Sequence, residues 1–295
     1  MASRSSRCGA RTASRARRDD QGLNLPGAEY HEHPPRAELA DAVNCVWTFE
    51  GNDAVADQPV VPDGRCELIV HCAQPYSEYL PNSDVPVRQS PVVFAGQVTR
   101  PLTLRASGPV SVVAVRFNPC GAWPFLGRSL AGLTDRRVDL SSLLGEPAQL
   151  LHARIVAASP AQRTALAQEF VLSRVAAARH LRDAVVERCV ALIYEDQFAA
   201  LEAERSRAGL SARTLQRRFA AVVGVPPRIL AAIVRFRRVF DALQQAQAAN
   251  WTEAAHAAGY YDLPQLDRDF RRFTGLPPTA FLKSGPGLAT SLVKL

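Results

Sequence analysis

The feature that most limits what this chain can fold into is a motif it carries twice. Leu215, Phe219, Gly224 and Pro227 follow the pattern L-x3-F-x4-G-x2-P. Leu266, Phe270, Gly275 and Pro278 repeat it 51 residues later, with Arg217 and Arg268 at equivalent places. Leu and Phe four residues apart lie on one helix face and point into a small core. Gly beyond such a helix supplies a cap of positive φ, and Pro fits the first turn of the next helix.

The faces opposite these stripes are polar. With 3.6 residues per turn, Arg213, Gln216 and Arg217 cluster away from Leu215 and Phe219. In the second copy Gln265, Arg268 and Arg272 oppose a stripe of Leu266, Phe270 and Phe273. Arg and Gln are the side chains that read guanine and adenine edges in a major groove. Each copy follows a short helical segment and a glycine turn, Ala208-Gly209-Leu210-Ser211 and Ala258-Gly259-Tyr260-Tyr261-Asp262. Helix, short turn and outward polar helix is the helix-turn-helix arrangement, with Ser211 and Asp262 as N-caps. From Pro227 to about Gln247 the pattern predicts one connecting helix, about 30 Å long, that contains Arg235, Arg237 and Arg238. Such a connector sets two recognition helices about one DNA turn apart, with Arg235 toward phosphate.

Charge supports a polyanion partner. The net charge is +7, yet residues 21–204 carry 15 basic and 21 acidic side chains, whereas 205–283 carry 13 basic and five acidic. A basic C-terminal third behind an acidic middle implies one domain that meets nucleic acid and one that does not.

Residues 198–283 resemble the C-terminal DNA-binding domain of the AraC/XylS family of bacterial transcription regulators. The text that carries the resemblance is GLSARTLQRRFAAVVGVPP, then AAHAAGYYDLPQLDRDFRRFTGLPPTAFL. It implies two helix-turn-helix units joined by a linker helix. It also implies base contacts from Arg213, Gln216 and Arg217 in the first unit and Gln265 and Arg268 in the second. Two departures matter. Glu204-Arg205 stands where the family carries Leu-Ala, which predicts a loosened or register-shifted first unit. Leu263 and Pro264 replace polar residues at the start of the second recognition helix, which predicts a narrower readout there.

The N-terminal part reads differently. Val43–Phe49, Glu67–Cys72, Val92–Ala95, Leu102–Arg105 and Val110–Phe117 are short apolar runs punctuated by Pro and Gly, the texture of an antiparallel barrel or sandwich. The pieces YHEHPP, VNCVWTF, VVPDGRCELIVH, SGPVSVVAVRFNPCGA and LTDRRVDLSSL resemble an uncharacterised β-rich domain found on some regulators of the same family. From about Ala122 helical spacing takes over, through Leu140–Leu144, Ala148–Ala157, Ala161–Arg174 and Arg179–Tyr194.

The expected organisation is an α+β chain in five parts. These are a disordered basic tail over 1–28, a cupin-like β domain for sensing or dimerisation over 29–121, a helical bridge over 122–196, the all-α DNA-binding domain over 197–285 and a flexible tail over 286–295. No secretory signal or membrane-length apolar run is present, so a cytoplasmic protein is expected. The six cysteines form no C-x2-C pair and read as small buried hydrophobes. Asp63, Glu67 and Arg116 read as a buried ion cluster or a pocket lining, and Trp47 and Trp123 as core. His31, His33 and His71 are the residues a cupin-like metal-dependent enzyme with a degenerate helix-turn-helix would need. They lack the spacing for it, and no nucleophile–base pair or nucleotide-binding motif is present.

The expected function is therefore sequence-specific DNA binding in transcription regulation, as an activator and without catalysis, cofactor or metal. Candidate partners are double-stranded DNA, RNA polymerase, a small-molecule effector of unknown identity and a second copy of the chain in a homodimer, with no membrane.

Overall fold

The computed structural model describes residues 23–25, 28–51, 57–80, 83, 85–244 and 250–283; most of the expected N-terminal tail and all of the C-terminal one lie outside the described residues. Eleven described strands form two antiparallel sheets. The larger contains β1 (Leu23–Leu25), β2 (Ala28–His33), β3 (Val43–Gly51), β5 (Glu67–His71), β8 (Val92–Ala95), β10 (Val110–Phe117) and β11 (Arg137–Asp139), in the order β1-β2-β3-β10-β5-β8-β11. The smaller is β4 (Gln58–Val60), β6 (Ser77–Tyr79), β7 (Val87–Arg88) and β9 (Leu102–Arg105), in the order β4-β9-β6-β7. The expected antiparallel β domain is present, but as an open sandwich. The larger sheet ends at β1 and β11 rather than closing on itself, which removes the barrel alternative.

β10 is central and carries side chains buried on both faces, so its sequence is nearly unbroken Val and Ala. On one face Val113, Val115 and Phe117 join Val46, Leu68, Val70 and Phe94 beneath four helices. These are α1 (Ala122–Leu126), α2 (Leu140–Leu144), α3 (Glu146–Ala157) and α4 (Pro160–Ala177). On the other face Val112 and Ala114 join Tyr30, Phe49 and Tyr76 beneath the smaller sheet.

The helical stretch 122–196 therefore does not bridge two domains as one piece. Its first four helices back the larger sheet, and β11, which the helical reading missed, completes that sheet's edge. Its last helix, α5 (Ala184–Tyr194), starts later than the expected Arg179, at the Asp183 N-cap. α5 packs instead with the C-terminal domain, through Val186, Cys189 and Ile193.

The C-terminal domain continues with α6 (Ala200–Arg207), α7 (Ala212–Val222), α8 (Pro227–Gln244), α9 (Trp251–Ala257), α10 (Leu263–Thr274) and α11 (Pro278–Lys283). The long helix α8 supplies two cores. Leu230, Ala231 and Val234 pack with α5 and α7, whereas Ile233, Phe236, Val239 and Phe240 pack with α9, α10 and α11. Phe236 is fully buried, with the rings of Phe240, Phe270 and Phe273 centred 5.0–5.2 Å away. Truncating such a ring removes its transfer free energy and leaves a cavity. Phe236→Ala is expected to cost about 3–5 kcal/mol of stability by denaturant unfolding, through the second unit.

Candidate nucleic-acid interface

Two helix-turn-helix units are built from the repeated motif. In the first, α6 leads through a turn at Gly209 to α7; in the second, α9 leads through Gly259 to α10. Both glycines have positive φ, 64° and 86°, where a side chain would strain the tight reversal. Ser211 and Asp262 are the N-caps, and they accept hydrogen bonds from the backbone N–H of Thr214 at 3.1 Å and of Gln265 at 2.8 Å.

On α7, Leu215, Phe219 and Val222 are buried while Arg213, Gln216 and Arg217 are exposed on the opposite side. Arg218, next to them in sequence, turns back as a clamp, and its guanidinium donates two 2.6 Å bonds to Asp183 at the start of α5. The outward cluster is therefore three residues wide, held on a helix that is anchored from behind.

On α10, Leu266, Phe270 and Phe273 are buried, and Arg268 and Arg272 are exposed. Gln265 departs from the expected role. It is half-buried, and its Oε1 accepts the Tyr261 N–H at 3.3 Å, so it closes the helix start rather than projecting freely. Arg235 departs as well. It is half-buried, its guanidinium carbon lies 5.0 Å from the centre of the Tyr260 ring, and its Nε is buried without a partner. An exposed phosphate contact is not where the fold puts it. Leu263, read from sequence only as a lost polar contact, is 44% exposed at the α10 N-terminus, and Tyr261, assigned no role from sequence, is 89% exposed beside it.

The first unit keeps its register, with α6, the Gly209 turn and the Ser211 cap in place before α7. Glu204 is buried yet accepts bonds from Arg188, 2.5 Å away, and from Arg207, while Arg205 donates to the Leu210 carbonyl across the turn and pairs with Glu202. An ion network stands where apolar packing was lost. The hydrogen bonds from Arg207 and Arg188 hold the Glu204 carboxyl below the usual range. A carboxylate with a depressed folded pKa contributes stability above its unfolded pKa and loses it as pH falls through the folded one. Acidification from neutral pH into the carboxylate range is thus expected to loosen the first unit. Glu204→Gln is expected to start less stable and to lose less on acidification, which pH-resolved thermal unfolding would measure.

The other candidates scatter. His33 Nε2 lies 3.3 Å from Thr48 Oγ1, and His71 lies buried against Gln89 on a different strand. Among the described residues no three His, Cys, Asp or Glu side chains gather as a metal-binding group. Burial pushes the Cys45 and Cys120 thiols up to about 12, which keeps them protonated. No single described helix is long and apolar enough to cross a membrane.

Comparison with known proteins finds two family models that match parts of the chain. Residues 206–284 match the family model described as a helix-turn-helix domain, and residues 31–139 match a domain of unknown function (DUF6597). No curated protein matches the chain. Among solved structures, ToxT from Vibrio cholerae is similar at 9% identity and a TM-score of 0.42, over 81% of this chain and 97% of that one. ToxT of strain SCE256 with an unsaturated fatty acid bound is similar at 13% identity and a TM-score of 0.41, over 92% and 98%. The AraC-like transcriptional activator CuxR is similar at 14% identity and a TM-score of 0.30, over 78% and 84%.

Proposed function

We propose that this chain, a DNA-binding transcription regulator by its AraC-type helix-turn-helix domain, reads two successive major-groove segments with α7 and α10 and is controlled through its N-terminal domain. The observation that carries the reading is the pair of exposed Arg-rich faces, each set against a core that α8 shares. Arg217 and Arg268 stand at equivalent places in the repeat and suit bidentate contact with guanine. Arg213 and Gln216 complete the first face. Arg272, near the end of α10, suits phosphate.

Leu263 adds a contact of another kind. An exposed aliphatic side chain at the first position of a recognition helix suits the C5-methyl group of thymine. The second unit then reads one guanine edge and one methyl group.

Control is supported by the way the two domains meet. The Leu130 N–H donates to the Ala221 carbonyl at the end of α7 over 2.8 Å, and the Thr134 hydroxyl donates to the Gly224 carbonyl. Val61 packs into the core of α8 and α10, and a side chain at Gly64 would meet Leu230 and Ile233 of α8 within 3.1–3.7 Å. A shift in the loop holding Val61 and Gly64 would therefore reach the helix that positions both readers. In this reading an effector held by the N-terminal domain changes operator affinity and the presentation of the chain to RNA polymerase.

Arg217→Ala and Arg268→Ala are each expected to cost about 1–3 kcal/mol at an operator and to relax base preference only in their own half of the site. Selection of random DNA followed by sequencing reads this; equal losses across both halves would contradict the assignment. Arg235→Ala is expected to lower thermal stability and leave the salt dependence of DNA binding unchanged. Replacing thymine by deoxyuridine under α10 is expected to weaken binding about fourfold, the worth of roughly one buried methyl group. Leu263→Ser should be indifferent to that exchange.

A further inference from the structure

We propose that the space between the two sheets of the N-terminal domain is a binding site for an uncharged molecule about the size of one substituted ring, one that gives a hydrogen-bond donor to His71 and an acceptor to Arg137. This deepens the effector reading above and rests on it only for what binding does to DNA.

The space is a cavity of about 180 Å³. Trp47, Phe49, Ile69, Leu104 and Val112 give it apolar walls from both sheets. An apolar cavity of about 150 Å³ is enough to take benzene.

Four buried polar atoms in this lining have no hydrogen-bond partner, Gln58 Nε2, Tyr76 Oη, His71 Nδ1 and Arg137 Nη1, and the last two belong to the least exposed pair that brings an acceptor and a charged donor to the space. His71 is 1% exposed, and its Nδ1 makes no hydrogen bond. Arg137, with a side chain 7% exposed, leaves Nη1 unbonded in the same way. Buried polar atoms are almost always satisfied, so such orphans gathered on one cavity mark bonds that a ligand would complete.

Their chemistry sets the polarity of that ligand. His71 Nε2 lies 3.1 Å from Gln89 Oε1, an acceptor, so Nε2 carries the hydrogen and Nδ1 offers a lone pair. Burial pushes the His71 pKa down to about 4, which keeps the ring neutral. Nδ1 thus asks for a donor, and the Arg137 N–H asks for an acceptor.

The pairing of the charged groups at this cavity argues against an anion. Glu78 of the smaller sheet already neutralises Arg137, with Nε to Oε2 at 2.8 Å. Arg116 is held by Glu67 at 2.8 Å, Glu32 at 3.2 Å and Asp63 at 3.6 Å. The lining holds Asp63 and Glu67 with Arg65, Arg116 and Arg137, and Glu32 and Glu78, paired to two of those guanidinium groups from beside it, bring the carboxylates to four against three. A ligand carboxylate would meet two guanidinium groups already paired, a third (Arg65) turned to the Phe117 carbonyl and Asn118 Oδ1, and several acids nearby.

The test uses the full chain with ¹⁵N-labelled histidine. The probes are 4-hydroxybenzamide, benzyl alcohol and nicotinamide, with 4-hydroxybenzoate as the anionic counterpart. A molecule of about ten heavy atoms that fits should saturate below about 10 mM. The expected result is a saturable shift of the His71 Nδ1 resonance with at least one neutral probe, and 4-hydroxybenzoate at least about tenfold weaker than 4-hydroxybenzamide. Ile69→Trp, which fills the cavity, should abolish the shift. No saturable shift with any neutral probe overturns the site, as does equal binding of the anion. Operator titration in parallel separates the two readings. A His71 shift without any change in operator affinity keeps the site and removes effector control; intact operator binding without a His71 shift does the reverse for the site and leaves the DNA reading in place.

Discussion

The fold depends on one helix serving two cores. α8 buries Leu230, Ala231 and Val234 on the side of the first helix-turn-helix and Ile233, Phe236, Val239 and Phe240 on the side of the second. Such a helix has no face free to rotate without opening one core or the other. Well-packed cores deform little, so the two recognition helices move together or not at all. That constraint turns two small units, each too small to be very stable alone, into one rigid reader.

The same helix is where the N-terminal domain makes contact. The loop through Val61 and Gly64 lies against α8, and its neighbours Asp63, Arg65 and Glu67 line the cavity between the sheets. Across the larger sheet, Arg116, Glu67, Ala95 and Arg137 stand in one row on adjacent strands. Charged side chains in such a row face the cavity because the row belongs to the face under the smaller sheet, where alternate residues of β3, β5 and β10 all point. The ion pair from Arg137 to Glu78 then ties one sheet to the other. A polar ladder, a cavity and a loop against α8 are consecutive parts of one path.

The C-terminal domain was legible because its signals are local. The Leu–Phe spacing, the glycine turns and the Ser211 and Asp262 caps each act within a few residues, and all stand as read. The five main strands were legible too, from apolar runs between turn residues. What escaped was non-local. β4, β6 and β7 are two or three residues long and exist because the larger sheet gives them something to cover. β11 sits inside a helical stretch and is a strand only because β8 offers an open edge. Gln265 was read outward from helical angle and from the family resemblance, and Arg235 toward phosphate from its place on the connecting helix; the Tyr261 N–H and the Tyr260 ring hold them half-buried instead. Glu204 looked like a packing defect, because its rescue by Arg188 requires α5 and α6 to be neighbours.

The central claim is that α8 fixes the two readers in one geometry, and operator spacing tests it most directly. Once selection with the full chain has given a site with two elements, one base pair at a time is inserted between them and affinity is measured. A single rigid reader predicts a sharp optimum, with binding collapsing to the level of one half-site by about five inserted pairs, half a helical turn. Affinity that stays level across the series would mean that the two units bind as independent beads, and that the shared core of α8 does not hold them together.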